Sequence, residues 1–187
     1  MLSCIFDTET TGIPKHPNAK DEIQPRVIEF GAVLANEDGE IIEEMSLLIK
    51  PVDDKGEQIP LEDKITEITG LTDEDLVDAP VFEDVAHDIA RFVSKADALI
   101  AHNLPFDKTM MELDINRCDE SKVPFAGFPW PEIEICTVQE HADEWGYRPK
   151  LIELYEHYTG EKLEQTHRAV DDVKALTIIC QQSGLLL

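Results

Sequence analysis

Positive charge is scarce in this chain: 16 Lys+Arg stand against 40 Asp+Glu in 187 residues, a formal net charge of −24. Proteins that grip long nucleic acid by its phosphates display a basic stripe, and so few cations leave little for one. The balance fits either a generally solvated acidic surface or a groove for short or single-stranded ends that takes its local positive charge from metal ions. Net charge bears on solubility and association rather than on fold. Cysteine is sparse as well. Cys4, Cys118, Cys136 and Cys180 form no Cys-x-x-Cys pair, which argues against a zinc site or disulfide framework and makes a reducing, cytoplasmic setting the default. Cys4 and Cys136 lie in strand-like runs and read as small core residues. No apolar stretch approaches the ~20 residues that cross a bilayer, so no membrane is expected. Met1-Leu2-Ser3-Cys4 has no basic residue and Asp7 follows soon after, unlike a signal peptide. Without repeats, low-complexity tracts or linkers, 1–187 reads as a single domain.

What is present is an ordered series of strands and helices. Leu2 to Asp7, Val27 to Leu34 and Ile41 to Ile49 read as strands, and Asn36-Glu37-Asp38-Gly39 is a hairpin turn signal between the second and third. A three-stranded antiparallel meander is expected. Val81, Val85, Ile89 and Phe92 recur at near-helical spacing. Ala98-Leu99-Ile100-Ala101 is wholly apolar, as in a strand buried on both faces. A helix is expected from about Pro105 through Met111, then a fifth strand at Ile133-Glu134-Ile135-Cys136 and helices at about 149–158 and 168–182. The segment 51–79 reads as loop-rich, with a short helix near Leu61–Ile68. The class is therefore α/β, with a mixed five-stranded sheet flanked by helices.

The chemistry starts at Ile5-Phe6-Asp7-Thr8-Glu9. Residues i and i+2 of a strand share a face, so Asp7 and Glu9 can grip one divalent cation. Asp107, in the first turn of a helix after the fourth strand, and Asp172, one turn into the last helix, would complete a site. His167, just before that helix, could act as general base toward an attacking water. Four carboxylates and a histidine suit two hard cations ~3.5–4 Å apart, the apparatus of phosphodiester hydrolysis. Each piece alone is weak: chance gives about eight acidic-x-acidic pairs in so acidic a chain, and His16–Asp21 and His102–Asp107 repeat the His167–Asp172 interval. Taken singly, Asp107, Asp171 and Asp172 also read as helix acids favoured by the dipole. Order and flanking residues carry the inference.

Those flanks resemble a known family. Asp7-x-Glu9-Thr10-Thr11-Gly12, Ala101-His102-Asn103 with Phe106-Asp107, and His167-x-Ala169-x-x-Asp172 are similar to the three motifs of the DEDDh exonucleases, a family of ribonuclease H-like fold that includes proofreading subunits of bacterial replicative polymerases. Val27–Val33, Ile68–Glu74 (with Thr69 where a histidine is common) and Lys150-Leu151 with Tyr155 and Gly160 extend the resemblance across the domain. Thr166, before His167, departs from the small or glycine residue usual there. The resemblance implies Asp7, Glu9, Asp107 and Asp172 as ligands of two Mg²⁺ (Mn²⁺ able to substitute), His167 as base, and 3′-to-5′ release of mononucleotides.

Thr10, Thr11, Asn103 and Phe106 are the expected substrate contacts, with Phe106 equally readable as core. Lys15, His16, Lys20, Arg148, Lys150 and Arg168 are candidates for phosphate contacts, and Trp130 reads as a loop anchor. Single-stranded DNA or DNA 3′ ends are the expected substrate, with RNA 3′ ends as the alternative. The non-enzyme alternatives are a catalytically idle interaction module and an acidic nucleic-acid mimic. Association with a polymerase or sliding clamp is a further expectation, since Gln182-Ser183-Gly184-Leu185-Leu186-Leu187 faintly resembles a clamp-binding peptide. The plainer reading is that these leucines pack on the domain.

Overall fold

The computed structural model describes residues 1–118, 127–164 and 168–187. At its centre is a five-stranded sheet in the order β3-β2-β1-β4-β5. β1 (Ser3–Thr10), β2 (Val27–Ala35) and β3 (Ile41–Leu48) make the expected antiparallel meander, and β4 (Ala98–Ala101) and β5 (Ile133–Cys136) continue the sheet in parallel from β1. The helices are α1 (Asp63–Thr69), α2 (Asp73–Leu76), α3 (Phe82–Val93), α4 (Leu104–Ile115), α5 (Thr137–Trp145), α6 (Leu151–Thr159) and α7 (Ala169–Ser183).

The period-2 alternation of strands divides the core into two layers. Cys4 and Phe6 of β1, Phe30, Ala32 and Leu34 of β2, and Leu99 and Ala101 of β4 pack toward α3 and α4. Ile5, Val33, Ala35 and Ile100 point the other way, onto α6 and α7. β1, β2 and β4 are thus covered on both sides, which is why β2 reads as a nearly unbroken apolar run and is buried along its whole length. The outer strand β3 is mostly exposed. Its adjacent Glu43 and Glu44 point to opposite faces, where Lys95 and Lys174 pair with them at 2.7 and 2.8 Å. Charged side chains on an edge strand discourage pairing with another chain.

Three elements differ from expectation. α4 starts one residue earlier, at Leu104, and runs on to Ile115 because Asp114 fastens its end to the sheet: its carboxylate accepts from Val27 N at 2.7 Å and from Arg117 Nη1 at 2.6 Å. α5 was unforeseen, since its buried positions are Thr137, Val138 and His141 rather than an aliphatic stripe. A second short helix, α2, follows α1, its Thr72–Asp75 capping box closing both ends of the first turn. Trp130 anchors its loop as expected, its ring 6.2 Å from Phe6 and 4.4 Å from Phe128. Leu185 and Leu186 pack against the α6–α7 layer. Among the described residues no helix is long and apolar enough to cross a membrane.

Candidate active site

β1 serves two helices at once. Asp7 and Glu9 share the face of Ile5, toward α7, whereas Thr8 shares the face of Phe6, toward α4. Carboxylate oxygens of Asp7, Glu9 and Asp172 lie within 4.8 Å of one another. From the α4 side, Asp107 Oδ1 accepts from Thr8 N at 3.1 Å and Thr8 Oγ1 at 2.8 Å, which fixes the carboxylate at the same end of β1. Asp107 and Asp172 are buried; Asp171, one residue earlier on the same helix, is exposed.

The approach of α7 depends on two residues of β2. Gly31 stands opposite Asp7 in the β1–β2 register. A Cβ added there would meet the Ala169 carbonyl carbon and the Val170 nitrogen at 2.5 Å, so the first turn of α7 rests directly on the glycine. Glu29 stands opposite Glu9 and is 1% exposed. Its carboxylate accepts from Arg168 Nε at 3.0 and 3.1 Å, from Arg168 Nη2 at 2.9 Å, and from Ala169 N at 3.4 Å. This bidentate pair seats the residue that precedes α7 and commits Nε and Nη2 of Arg168, one of the expected phosphate contacts, to Glu29. Thr8, Glu29 and Gly31 were all missed by sequence reasoning. Only Glu29 carried a signal, since a lone charge in the apolar run Val27-Ile28-Glu29-Phe30 must find a partner when buried.

Other expected contacts lie around this centre. Thr10 Oγ1 donates to Gly12 O at 2.8 Å, and Thr11 Oγ1 accepts from Arg26 N at 2.9 Å, so both hydroxyls shape the turn after β1. Asn103 caps α4, and its Oδ1 accepts from Arg148 Nη2 at 3.0 Å. Phe106 is half-buried and packs against the α3–α4 core. His102 bonds to Thr137 Oγ1 at 3.0 Å, and burial pushes its pKa down to about 4, which suits a neutral structural histidine. His167 and Thr166 lie outside the described residues.

The acids hold one another's protons. Burial, then Asp107, then Glu9 and Asp172, push the Asp7 carboxyl well above the ordinary range. Burial, then Asp172 and Glu29, raise Glu9 to about 8, and burial raises Asp107 to about 7 against the Thr8 hydrogen bonds. An all-oxygen donor set with this excess of negative charge fits a hard divalent cation. Stability should report it. Groups whose folded pKa is raised bind more protons folded than unfolded, so the metal-free protein is expected to lose stability as pH rises from about 4 to about 8. Mg²⁺ or Mn²⁺ should restore it most at the alkaline end. Thermal melts in EDTA and in 10-fold graded metal check this; a metal-free melting point that climbs through the window would contradict it.

A mixed sheet that gathers acids from β1, α4 and α7 at the end of its central strand defines an α/β domain with a carboxylate-centred candidate active site. The chain belongs to the RNase_T exonuclease family, whose model matches residues 4–180. It is 30% identical over 186 residues to a PolC-type DNA polymerase III from Clostridium perfringens, covering 96% of this chain and 11% of that one. It is 35% identical over 113 residues to the DNA polymerase III subunit epsilon of Treponema pallidum, covering 60% of this chain and 46% of that one. The chain therefore spans less than half the length of these relatives. The nuclease domain of 3′hExo, a DEDDh family member bound to rAMP, superposes with a TM-score of 0.70 at 19% identity, over 96% of this chain and 90% of that one. The ribonuclease H-like fold and the family read from the motifs are both borne out.

Proposed function

We propose that this chain is a single metal-dependent 3′–5′ exonuclease domain that releases nucleoside monophosphates from single-stranded DNA ends. The observation that carries the reading is the convergence of Asp7, Glu9 and Asp172 within 4.8 Å in a chain of this family. Asp7, Glu9, Asp107 and Asp172 would hold two Mg²⁺ ions, with Mn²⁺ able to substitute. Bound there, such ions lower the pKa of a coordinated water and offset charge on phosphate oxygens. The protein's own residues do the positioning: Thr8 orients Asp107, while Glu29–Arg168 and Gly31 seat Asp172. His167, next to the anchored Arg168, takes the proton of the attacking water. Thr10, Thr11, Asn103 and Phe106 border the terminal nucleotide.

DNA is the favoured substrate because both polymerase relatives are DNA polymerase components, and on the same ground the domain is proposed to work beside a polymerase. The rAMP-bound neighbour supports RNA 3′ ends as the second reading. The deciding experiment titrates Mg²⁺ and Mn²⁺ against 3′-labelled and 5′-labelled DNA and RNA oligonucleotides of one sequence. Labelled mononucleotide should appear first from the 3′-labelled DNA, and EDTA should stop it. Release from the 5′ end, or hydrolysis indifferent to chelator, would overturn the assignment.

A further inference from the structure

Nearly every arginine of this chain is neutralised from within. Among the described residues, Arg26, Arg91, Arg117 and Arg168 each pair with a carboxylate. Arg148 differs: it is exposed, and its hydrogen-bond partner is the uncharged Asn103 carboxamide at 3.0 Å. A guanidinium held by an amide is oriented and keeps its full charge.

Its place is set by a two-rung tie. His102 is hydrogen-bonded to the backbone of buried Pro149, and the next residue, Asn103, holds Arg148. The 146–150 loop between α5 and α6 is thus bound to the β4–α4 junction. The main-chain oxygen of Asn103 also accepts from Asp107 N at 3.4 Å, so the residue that holds the guanidinium stands one helical turn before a site carboxylate along α4. Beside it Tyr147 is 51% exposed, with its ring edge-on to Trp145 at 5.8 Å and its hydroxyl donating to Glu153 at 3.2 Å. Lys150, at the end of the loop, is exposed too.

We propose that this loop is the grip on the substrate strand. Arg148 takes a backbone phosphate upstream of the terminal nucleotide through its planar fork, and Tyr147 offers its ring to an adjoining base. The inference rests on the exonuclease reading and names the residues that hold the strand. It also reconciles a net charge of −24 with a polyanionic substrate, since the cations gathered on this loop, Arg148 and Lys150, substitute for a basic stripe. Binding should then have a shallow salt dependence, with log affinity against log salt sloping by about −1.5 to −2, or two to three phosphate contacts on a single strand.

The test compares Arg148→Gln, Arg148→Lys and Tyr147→Ala on two substrates: a 3′-labelled single-stranded DNA oligonucleotide, and the p-nitrophenyl ester of thymidine 5′-monophosphate, which has no upstream strand. Arg148→Gln should raise the oligonucleotide KM about 10- to 100-fold, as expected for a lost charged hydrogen bond, while kcat/KM for the ester falls less than about 3-fold. With Ca²⁺ in place of the catalytic metal, the salt slope of oligonucleotide binding should lose about 0.7. Arg148→Lys should recover the slope but only part of KM, and Tyr147→Ala should raise KM without changing the slope. Equal losses on both substrates, or an unaltered KM and slope in Arg148→Gln, would overturn the proposal. If the wild-type chain hydrolyses neither substrate, the nuclease reading fails, and the salt slope in Ca²⁺ still decides whether Arg148 holds a phosphate.

Discussion

Asp7→Asn is expected to lower exonuclease turnover by roughly 10²–10³-fold or more, the scale for deleting a charge that stabilises the transition state, while raising the melting temperature of the metal-free protein. The opposed signs come from one cause. Asp7 is the acid most crowded by its neighbours, with Asp107, Glu9 and Asp172 all adding to the cost of its burial, and an isosteric amide relieves that repulsion. In excess Mg²⁺ the ranking should invert, because the cation then stabilises the wild type more than the variant. Asp172→Asn should lower turnover on the same scale. Asp171→Asn should not, because consecutive helical residues point ~100° apart and Asp171 is exposed. His167→Ala should lower turnover ~10²–10⁴-fold with metal affinity largely retained. Single-turnover rates, calorimetric Mn²⁺ binding and melts with and without metal separate these cases. Damage from Asp171→Asn equal to that from Asp172→Asn would show that the wrong face of α7 has been assigned to the site.

Gly31→Ala should be the most destructive of the glycine-to-alanine changes. The added carbon would fall 2.5 Å from two backbone atoms of α7, and no side-chain rotation can relieve a clash with main chain. α7 has to move off the sheet. Overpacking of this kind costs about 1–3 kcal/mol and sometimes more. The same shift carries Asp172 away from Asp7, and a displacement near 1 Å can lower turnover about 10²-fold. Urea titrations and kcat on the same preparations measure both. Ala169→Gly should fail to rescue, since it removes only a Cβ at 2.9 Å and leaves the 2.5 Å contacts in place. Wild-type stability and turnover in Gly31→Ala would show that α7 is not seated on this glycine.

Much of this was legible in the chain, and the reason is locality. Strands β1, β2 and β4 announced themselves as apolar runs, the hairpin as Asn-x-Asp-Gly, and Asp7 and Glu9 as an i, i+2 pair. Each of these patterns fits within ten residues. The relations that turn the motifs into a site span far more. Thr8 meets Asp107 across 99 positions and Glu29 meets Arg168 across 139, and nothing local names the partner in either pair. Gly31 drew no reading from the sequence, and nothing local to it names the helix that rests on it. α5 escaped because a helix whose inner face is threonine, valine and histidine has no aliphatic period to detect. Arg148 was one of six equivalent cations in the sequence; its hydrogen bond to Asn103 beside the site is what singles it out.

The wide separation of Asp7 from Asp172 has a consequence for biosynthesis. At ~5–20 residues per second, the first acids leave the ribosome on the order of ten seconds before the segment that carries Arg168 and Asp172. Until then the emerging polypeptide has Glu29 without its guanidinium and the N-terminal acids without Asp172. On the proposed exonuclease reading, a copy that lacks the last helix lacks the completed metal site and is inert toward nucleic acid. The arrival of α7 is then the step that completes the acid cluster.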